Sequence, residues 1–277
     1  MNKFTNLVIR ACSGALFISV VTASVLLGAY ACAVMLIVVV VWSMLEFYAI
    51  VIKDRVRVHK LFGVLSGVFL FTAGFFYVQD IVSGRVFLLL IPLAIVLFIS
   101  QLYSKDFYSF RAIAYTIVGI VYIALPVTLF VGLMFPHSDG KYTHELLLGF
   151  FILLWANDTF AYLTGISFGR HRLFERISPK KSWEGFFGGL ICTVLLSLLI
   201  AKLLPILPFY HWMAVAVLIV IFGVYGDLIE SLLKRNLKVK DSGRFLPGHG
   251  GILDRFDSVL PAAPMVFFYL KMFVFQQ

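Results

Sequence analysis

Nine long apolar runs organise this sequence, at about 11–27, 30–52, 61–78, 86–102, 112–135, 146–166, 186–204, 213–229 and 259–275. Each is close to the ~20 residues that a helix needs to cross the hydrocarbon core of a bilayer. The runs are continuous rather than alternating, which favours helices over the strands of a membrane barrel. The chain is 61% hydrophobic and only 13% charged, whereas about a quarter of a soluble domain is charged. One soluble core cannot absorb that excess, so the expected fold is an all-α polytopic membrane protein with about nine transmembrane helices. Gly28 is the breaker between the first two runs. Pro126 falls inside the fifth, where a kink is tolerated in lipid. The 29 Phe and 12 Tyr suit a lipid-facing surface with rings at the interface.

The basic residues orient the spans. With nine spans, 19 of the 23 Lys and Arg fall on the side of the N-terminus. The other four are Arg85, Lys141, Lys202 and Lys271. Cytoplasmic loops carry the excess of Lys and Arg, so the N-terminus and the two longest loops, 167–185 and 230–258, are expected in the cytoplasm. The C-terminus is expected on the far side of an inner (plasma) membrane. Lys3 and Arg10 before an apolar run resemble the start of a signal peptide, but no convincing A-x-A-like cleavage site follows, so a retained first span is expected. Cys12, Cys32 and Cys192 are odd in number, lie in apolar runs and have no metal-ligand spacing, so buried free thiols are expected.

Only 14 residues are Asp or Glu, and their placement is informative. Asp158, in Trp155-Ala-Asn157-Asp158-Thr159, lies inside the sixth run, where an ionised carboxyl costs at least ~2.5 kcal/mol. Tyr162 and Gly165 share its helical face. Either a partner, cavity or cation compensates Asp158, or it is neutral and bonded to Asn157 or a neighbouring helix. Glu46, in the second run, is expected to reach towards the membrane surface and is left out of the site. Asp227 closes the eighth run, and Glu230, Ser231 and Lys234 continue its stripe at i+3, i+4 and i+7. A membrane-exit helix with a simple charge pair would look the same.

The segment that follows is more specific. Lys234, Arg235, Lys238, Lys240 and Arg244 supply cationic donors for phosphate oxygens. Gly248, Gly250 and Gly251 let backbone approach a ligand closely. Asp254 and Asp257 lie three apart at the start of the ninth run. Carboxylates facing phosphate-binding cations are what a Mg²⁺-nucleotide site needs. The other loop repeats the theme in Ser178-Pro179-Lys180-Lys181-Ser182-Trp183-Glu184-Gly185. There Ser178 and Pro179 read as a helix start with two lysines beside it, an anion site. A loop that only sets topology remains open for that stretch. No Walker A or dinucleotide glycine pattern is present.

Residues 231–257 resemble the signature of the phosphatidate cytidylyltransferases, or CDP-diacylglycerol synthases. The resemblance runs through Ser231, Lys234-Arg235, Lys240-Asp241, His249-Gly250-Gly251 and Asp254-Arg255-Phe256-Asp257. Asn157-Asp158 and the 178–185 loop are similar as well, whereas the N-terminal half is similar only in being apolar spans. The resemblance implies a cytoplasm-facing polar cavity and a need for Mg²⁺ or another divalent cation, with Asp227 and Asp254 as metal ligands. The catalytic group expected on this basis is Asp158, Asp227, Lys234, Arg235, Asp254 and Asp257. The expected substrate contacts are Asn157, Lys180, Lys181, Ser182, Glu184, Ser231, Lys240, His249, Gly250, Gly251 and Arg255. Residues 1–140 would form N-terminal transmembrane helices and 141–277 the catalytic part.

The reaction so implied transfers CMP from CTP to phosphatidic acid, giving CDP-diacylglycerol and pyrophosphate for phospholipid synthesis. Such chemistry is mainly positioning and charge neutralisation, in keeping with the absence of a catalytic triad. The partners are CTP, phosphatidic acid and membrane lipids; a homodimer is allowed for, and no nucleic acid is expected. Asp254-x-x-Asp257 alone would also permit a phosphotransferase that consumes a CDP-lipid, but the extended Asp-Gly-x-x-Ala-Arg motif of those enzymes is not found. An anionic-solute transporter would suit a buried Asp158, but no paired inverted halves are detected. The charge asymmetry predicts that reporters fused after Gln277 and within 167–185 report opposite sides of the membrane; same-side signals would refute nine spans.

Overall fold

A computed structural model of the chain describes residues 3–52, 58–103, 109–137, 140–239, 241–243 and 250–275. Helices α1 (Lys3–Leu26), α2 (Ala29–Val51) and α3 (Lys60–Val78) come first. A 3-10 turn (Gly84–Leu89) leads into α4 (Leu90–Leu102), and α5 (Ser109–Gly119) runs through a π-turn (Ile120–Ala124) into α6 (Leu125–Met134). Then come α7 (His144–Phe168), a hairpin of β1 (Arg172–Phe174) and β2 (Ser178–Ser182), α8 (Trp183–Leu203), α9 (Phe209–Asn236), the one-turn α10 (Leu253–Phe256) and α11 (Val259–Phe273).

Among the described residues, eight helical segments are long and apolar enough to cross a membrane, and α1 adds a shorter apolar stretch, Ala11–Leu26. These nine segments coincide with the nine apolar runs. Gly28 does break the first two, with φ of 113°, a conformation that costs glycine no steric strain. Pro126 is accommodated by the π-turn just before it, where the Leu125 N–H reaches back to the Ile120 carbonyl. The extra residue per turn absorbs the bond that proline cannot make. The cysteines are free thiols; Cys32 is buried, but Cys12 is exposed, because α1 presents it on an outward face.

Small residues let the helices approach closely, as is usual where lipid offers no hydrophobic drive between them. The Tyr48 ring of α2 packs where a Cβ on Gly63 of α3 or Gly119 of α5 would stand, and its hydroxyl donates to the Thr116 carbonyl at 2.9 Å. The fully buried Trp212 ring of α9 occupies the space beside Gly149 of α7, and its Nε1 donates to the Leu204 carbonyl at 3.2 Å. α7, α8, α9 and α11 make the most extensive helix contacts, and the polar cavity lies at one end of this group. Gly149→Leu would drive a side chain into Trp212 and is expected to destabilise the protein by about 1–3 kcal/mol, the usual cost of overpacking. A lowered midpoint of thermal unfolding in detergent checks this.

Candidate active site

Two glycine contacts bring the polar residues together. A Cβ on Gly226 would meet the Asp257 carbonyl oxygen and lie 2.7 Å from Pro261 Cγ. Glycine here lets the start of α11 lie against α9, so Asp257 comes beside Asp227. Likewise a Cβ on Gly185 would stand 2.8 Å from the Ala161 carbonyl oxygen and 3.2 Å from Gly165 Cα. This close contact of α7 with α8 draws β2 and its lysines over Asp158.

The result is a cavity of about 860 Å³. Asn157, Asp158, Lys180, Lys181, Ser182, Asp227, Asp254, Arg255 and Asp257 all line it. Asp158 is open to this cavity, which supplies the solvation that a carboxyl inside a span requires. Tyr162, Ile166 and Arg172, which are not among the expected site residues, line the cavity too.

The carboxylates fall into two groups. Asp227, Glu230 and Asp257 each offer an oxygen within 4.8 Å of the other two. Lys181 pairs with Asp227, Ser231 Oγ lies 3.4 Å from Asp227 Oδ1, and Asp257 Oδ1 accepts the Ser258 N–H at 2.6 Å. Glu230 is fully buried, and its Oε1 has no hydrogen-bond partner among the described residues. A donor set of three mutually repelling carboxylates with an unpartnered buried oxygen is able to hold a metal ion, which favours oxygen ligands of this kind.

Asp254 belongs to the second group. Its Oδ1 accepts from Lys234 Nζ at 2.6 Å, while Oδ2 accepts the Ser242 and Gly251 N–H groups at 3.0 and 2.8 Å. Lys234 also donates to Glu230 Oε2 at 2.7 Å, and so links the two groups. Gly250 has φ of +83°, and a Cβ there would stand 2.6 Å from Asp254 Oδ2. The close approach that this glycine allows is therefore made by a protein carboxylate.

Other expected residues have structural partners. Ser178–Ser182 is a strand, not a helix start. Proline restricts the residue before it to extended backbone, and Ser178 accordingly pairs with Phe174. The cap of α8 is Ser182, whose Oγ accepts the Gly185 N–H at 3.1 Å. Glu184 accepts the Arg170 and His171 N–H groups at 3.1 and 3.2 Å and pairs with His171 Nδ1 at 2.6 Å, closing the turn ahead of the hairpin. Arg235 is exposed, with Nε 3.5 Å from the Ile177 carbonyl oxygen. Lys240, Arg244, Gly248 and His249 lie outside the described residues.

Glu46 departs most from expectation. It does not reach for the surface: its carboxylate is buried and accepts the Ile252 and Leu253 N–H groups at 3.1 and 2.9 Å. The sequence held a signal for it, since no other charged residue lies between 11 and 52. Glu230 was visible too, three residues after Asp227 and four before Lys234.

A polytopic helical membrane protein with acidic and lysine side chains around one cavity is suited to handling phosphates. The chain belongs to the cytidylyltransferase family, whose family model matches residues 8–273. It is 38% identical over 179 residues to a phosphatidate cytidylyltransferase of Staphylococcus epidermidis, covering 64% of this chain and 66% of the relative. Those of Staphylococcus haemolyticus and Staphylococcus aureus are 39% and 36% identical over 178 residues, with the same coverage. In each case the match spans just under two thirds of the relative's length.

The cavity geometry separates two lysines. Lys234 lies between two carboxylates, so Lys234→Ala leaves buried charge unpaired and is expected to cost roughly 3–5 kcal/mol of stability. Lys180 is exposed, and Lys180→Ala should leave the unfolding midpoint close to wild type. Thermal unfolding of both variants in detergent makes the comparison.

Proposed function

We propose that this protein transfers CMP from CTP to phosphatidic acid, yielding CDP-diacylglycerol and pyrophosphate in an inner (plasma) membrane. The observation that carries this reading is the convergence of Asp227, Glu230 and Asp257 within 4.8 Å, two of which, Asp227 and Asp257, line the cavity together with Lys180, Lys181 and Arg255. The family membership and the names of the staphylococcal relatives support it. The cavity is read as cytoplasmic, because the two loops around it carry 11 of the 23 Lys and Arg and belong to the side on which 19 of them fall.

In this reading an oxygen of the phosphatidic acid phosphate attacks the α-phosphorus of CTP. One P–O bond forms, and the bond to the β,γ-diphosphate breaks with its electron pair leaving on pyrophosphate. The nucleophile is already ionised, so no strong base is needed. Lys180, Lys181 and Arg255 orient phosphate oxygens, and Lys234, neutralised by its own carboxylates, holds Asp254 and Glu230 in place. Ser182 and Asn157 shape the wall, and Asp158 orients groups deeper in the cavity. Contacts from Ser231, Arg235, Lys240 and His249 are proposed for the phosphate side as well, whereas Gly250 and Gly251, packed against the Asp254 and Glu46 carboxylates, serve the loop instead.

We keep Asp227 and Asp254 as metal-site residues and add Asp257 and Glu230, on the strength of the three-carboxylate cluster. A divalent cation bound there would neutralise charge on the phosphate oxygens. In the same proposal, residues 141–277 touch the reactants and residues 1–140 support them.

Purified protein with phosphatidic acid, Mg²⁺ and each labelled nucleotide tests the reading; CTP-independent turnover, or none, would sink it. Asp227→Asn and Asp257→Asn are expected to lower turnover by at least about a hundredfold, on the scale of losing one preorganised electrostatic group. Asp254→Asn is expected to do the same while also loosening Lys234. The Mg²⁺ dependence of CTP turnover is the measurement, and a wild-type rate with a wild-type Mg²⁺ midpoint in all three would remove these residues from the metal site.

A further inference from the structure

Glu46 belongs to α2, far in sequence from every residue that lines the cavity. Its side chain is 7% exposed in relative terms, and three donors converge on it. Oε1 accepts the Ile252 N–H at 3.1 Å, and Oε2 accepts the Leu253 N–H at 2.9 Å and the Ser242 hydroxyl at 3.3 Å. Glycine makes room for the carboxylate on both flanks. A Cβ on Gly251 would collide with Glu46 Oε2 and the Ser242 hydroxyl, and one on Gly243 would collide with Glu46 Oε1.

The contacts join Glu46 to Asp254 through shared residues. The Ser242 hydroxyl faces Glu46, while its N–H donates to Asp254. Gly251 packs on Glu46, while its N–H donates to Asp254. Beyond Leu253 the chain turns through α10 and delivers Asp257 to the carboxylate cluster.

We propose that Glu46 is a positioning residue: from α2 it fixes both ends of the loop between 242 and 253, and through them the places of Asp254 and Asp257 relative to Asp227. The proposal rests on the reading of the site given above. Glu46 touches no reactant. A carboxylate is an acceptor only and suits three donors, whereas an amide would turn an NH₂ group towards one of them. Even the near-isosteric Glu46→Gln therefore disturbs the arrangement.

Two readouts are taken on detergent-purified protein. In Glu46→Gln, CTP turnover should fall about tenfold or more, on the scale of one hydrogen bond to a charged group, and the Mg²⁺ midpoint should rise. Glu46→Asp, which keeps the charge on a shorter arm, should recover part of both. Independently of activity, amide hydrogen exchange in the peptide covering 250–256 should quicken in Glu46→Gln, while peptides from α7 and α8 stay as in wild type. Gly251→Ala presses on the same carboxylate from the loop side and should repeat the pattern, so it decides the matter where Glu46→Gln does not fold. Wild-type exchange together with a wild-type Mg²⁺ midpoint in the folded variants would overturn the proposal, as would exchange that quickens equally in every helix. If the wild-type protein itself ignores CTP, the functional reading fails, and the exchange data still decide whether Glu46 holds the loop.

Discussion

Lys234 stands between Glu230 and Asp254 at 2.7 and 2.6 Å, and the polar end of the helix group depends on that bridge. It ties the last turns of α9 to α10, elements separated in sequence by a glycine-rich loop. Neither carboxylate would be tolerated alone at this burial, because removing one partner of a buried pair leaves an uncompensated charge. Four acids, Asp158, Asp227, Asp254 and Asp257, and four bases, Arg172, Lys180, Lys181 and Arg255, line the cavity, while the Glu230–Lys234 pair lies behind it. Charges of both signs therefore meet at one cavity, as suits a site that holds phosphates together with a cation.

Backbone proximity is the second condition. Gly226 allows Asp257 to lie beside Asp227, Gly185 brings the hairpin lysines over α7, and Gly250 and Gly251 admit the carboxylates of Asp254 and Glu46. At Gly226 and Gly185 one main chain approaches another, and at Gly250 and Gly251 a carboxylate approaches the main chain. Short carboxylates seated in this way have few rotamers to lose, which is one route to a preorganised electrostatic site.

The membrane spans were legible because the bilayer imposes a length and an apolarity that any helix must satisfy. Gly28 and the nine runs needed no tertiary information. The acidic residues at the end of α9 and the start of α11 could also be read, since carboxylates are scarce and cluster there. What could not be read was pairing across the fold. Glu46 lies roughly two hundred residues from its donors, and local periodicity says nothing about contacts at that range. The 178–182 strand was missed for a different reason. Ser-Pro followed by lysines carries the marks of a helix start, but the extended preference of the residue before proline and pairing with 172–174 prevailed. Asp254 was legible as important, while its immediate partners, Lys234 and two backbone N–H groups, were not.

The break at Gly28 also bears on how the chain enters the bilayer. Only Leu27 and Gly28 separate α1 from α2, so the two helices form a tight hairpin. Glu46 is the only charged residue between Ala11 and Ile52. The bend therefore carries no Lys, Arg, Asp or Glu, and the two helices can partition together with little charge-transfer cost. The acid that later organises the distant loop lies close to the trailing end of that hairpin, where its desolvation is deferred until the C-terminal helices arrive to meet it.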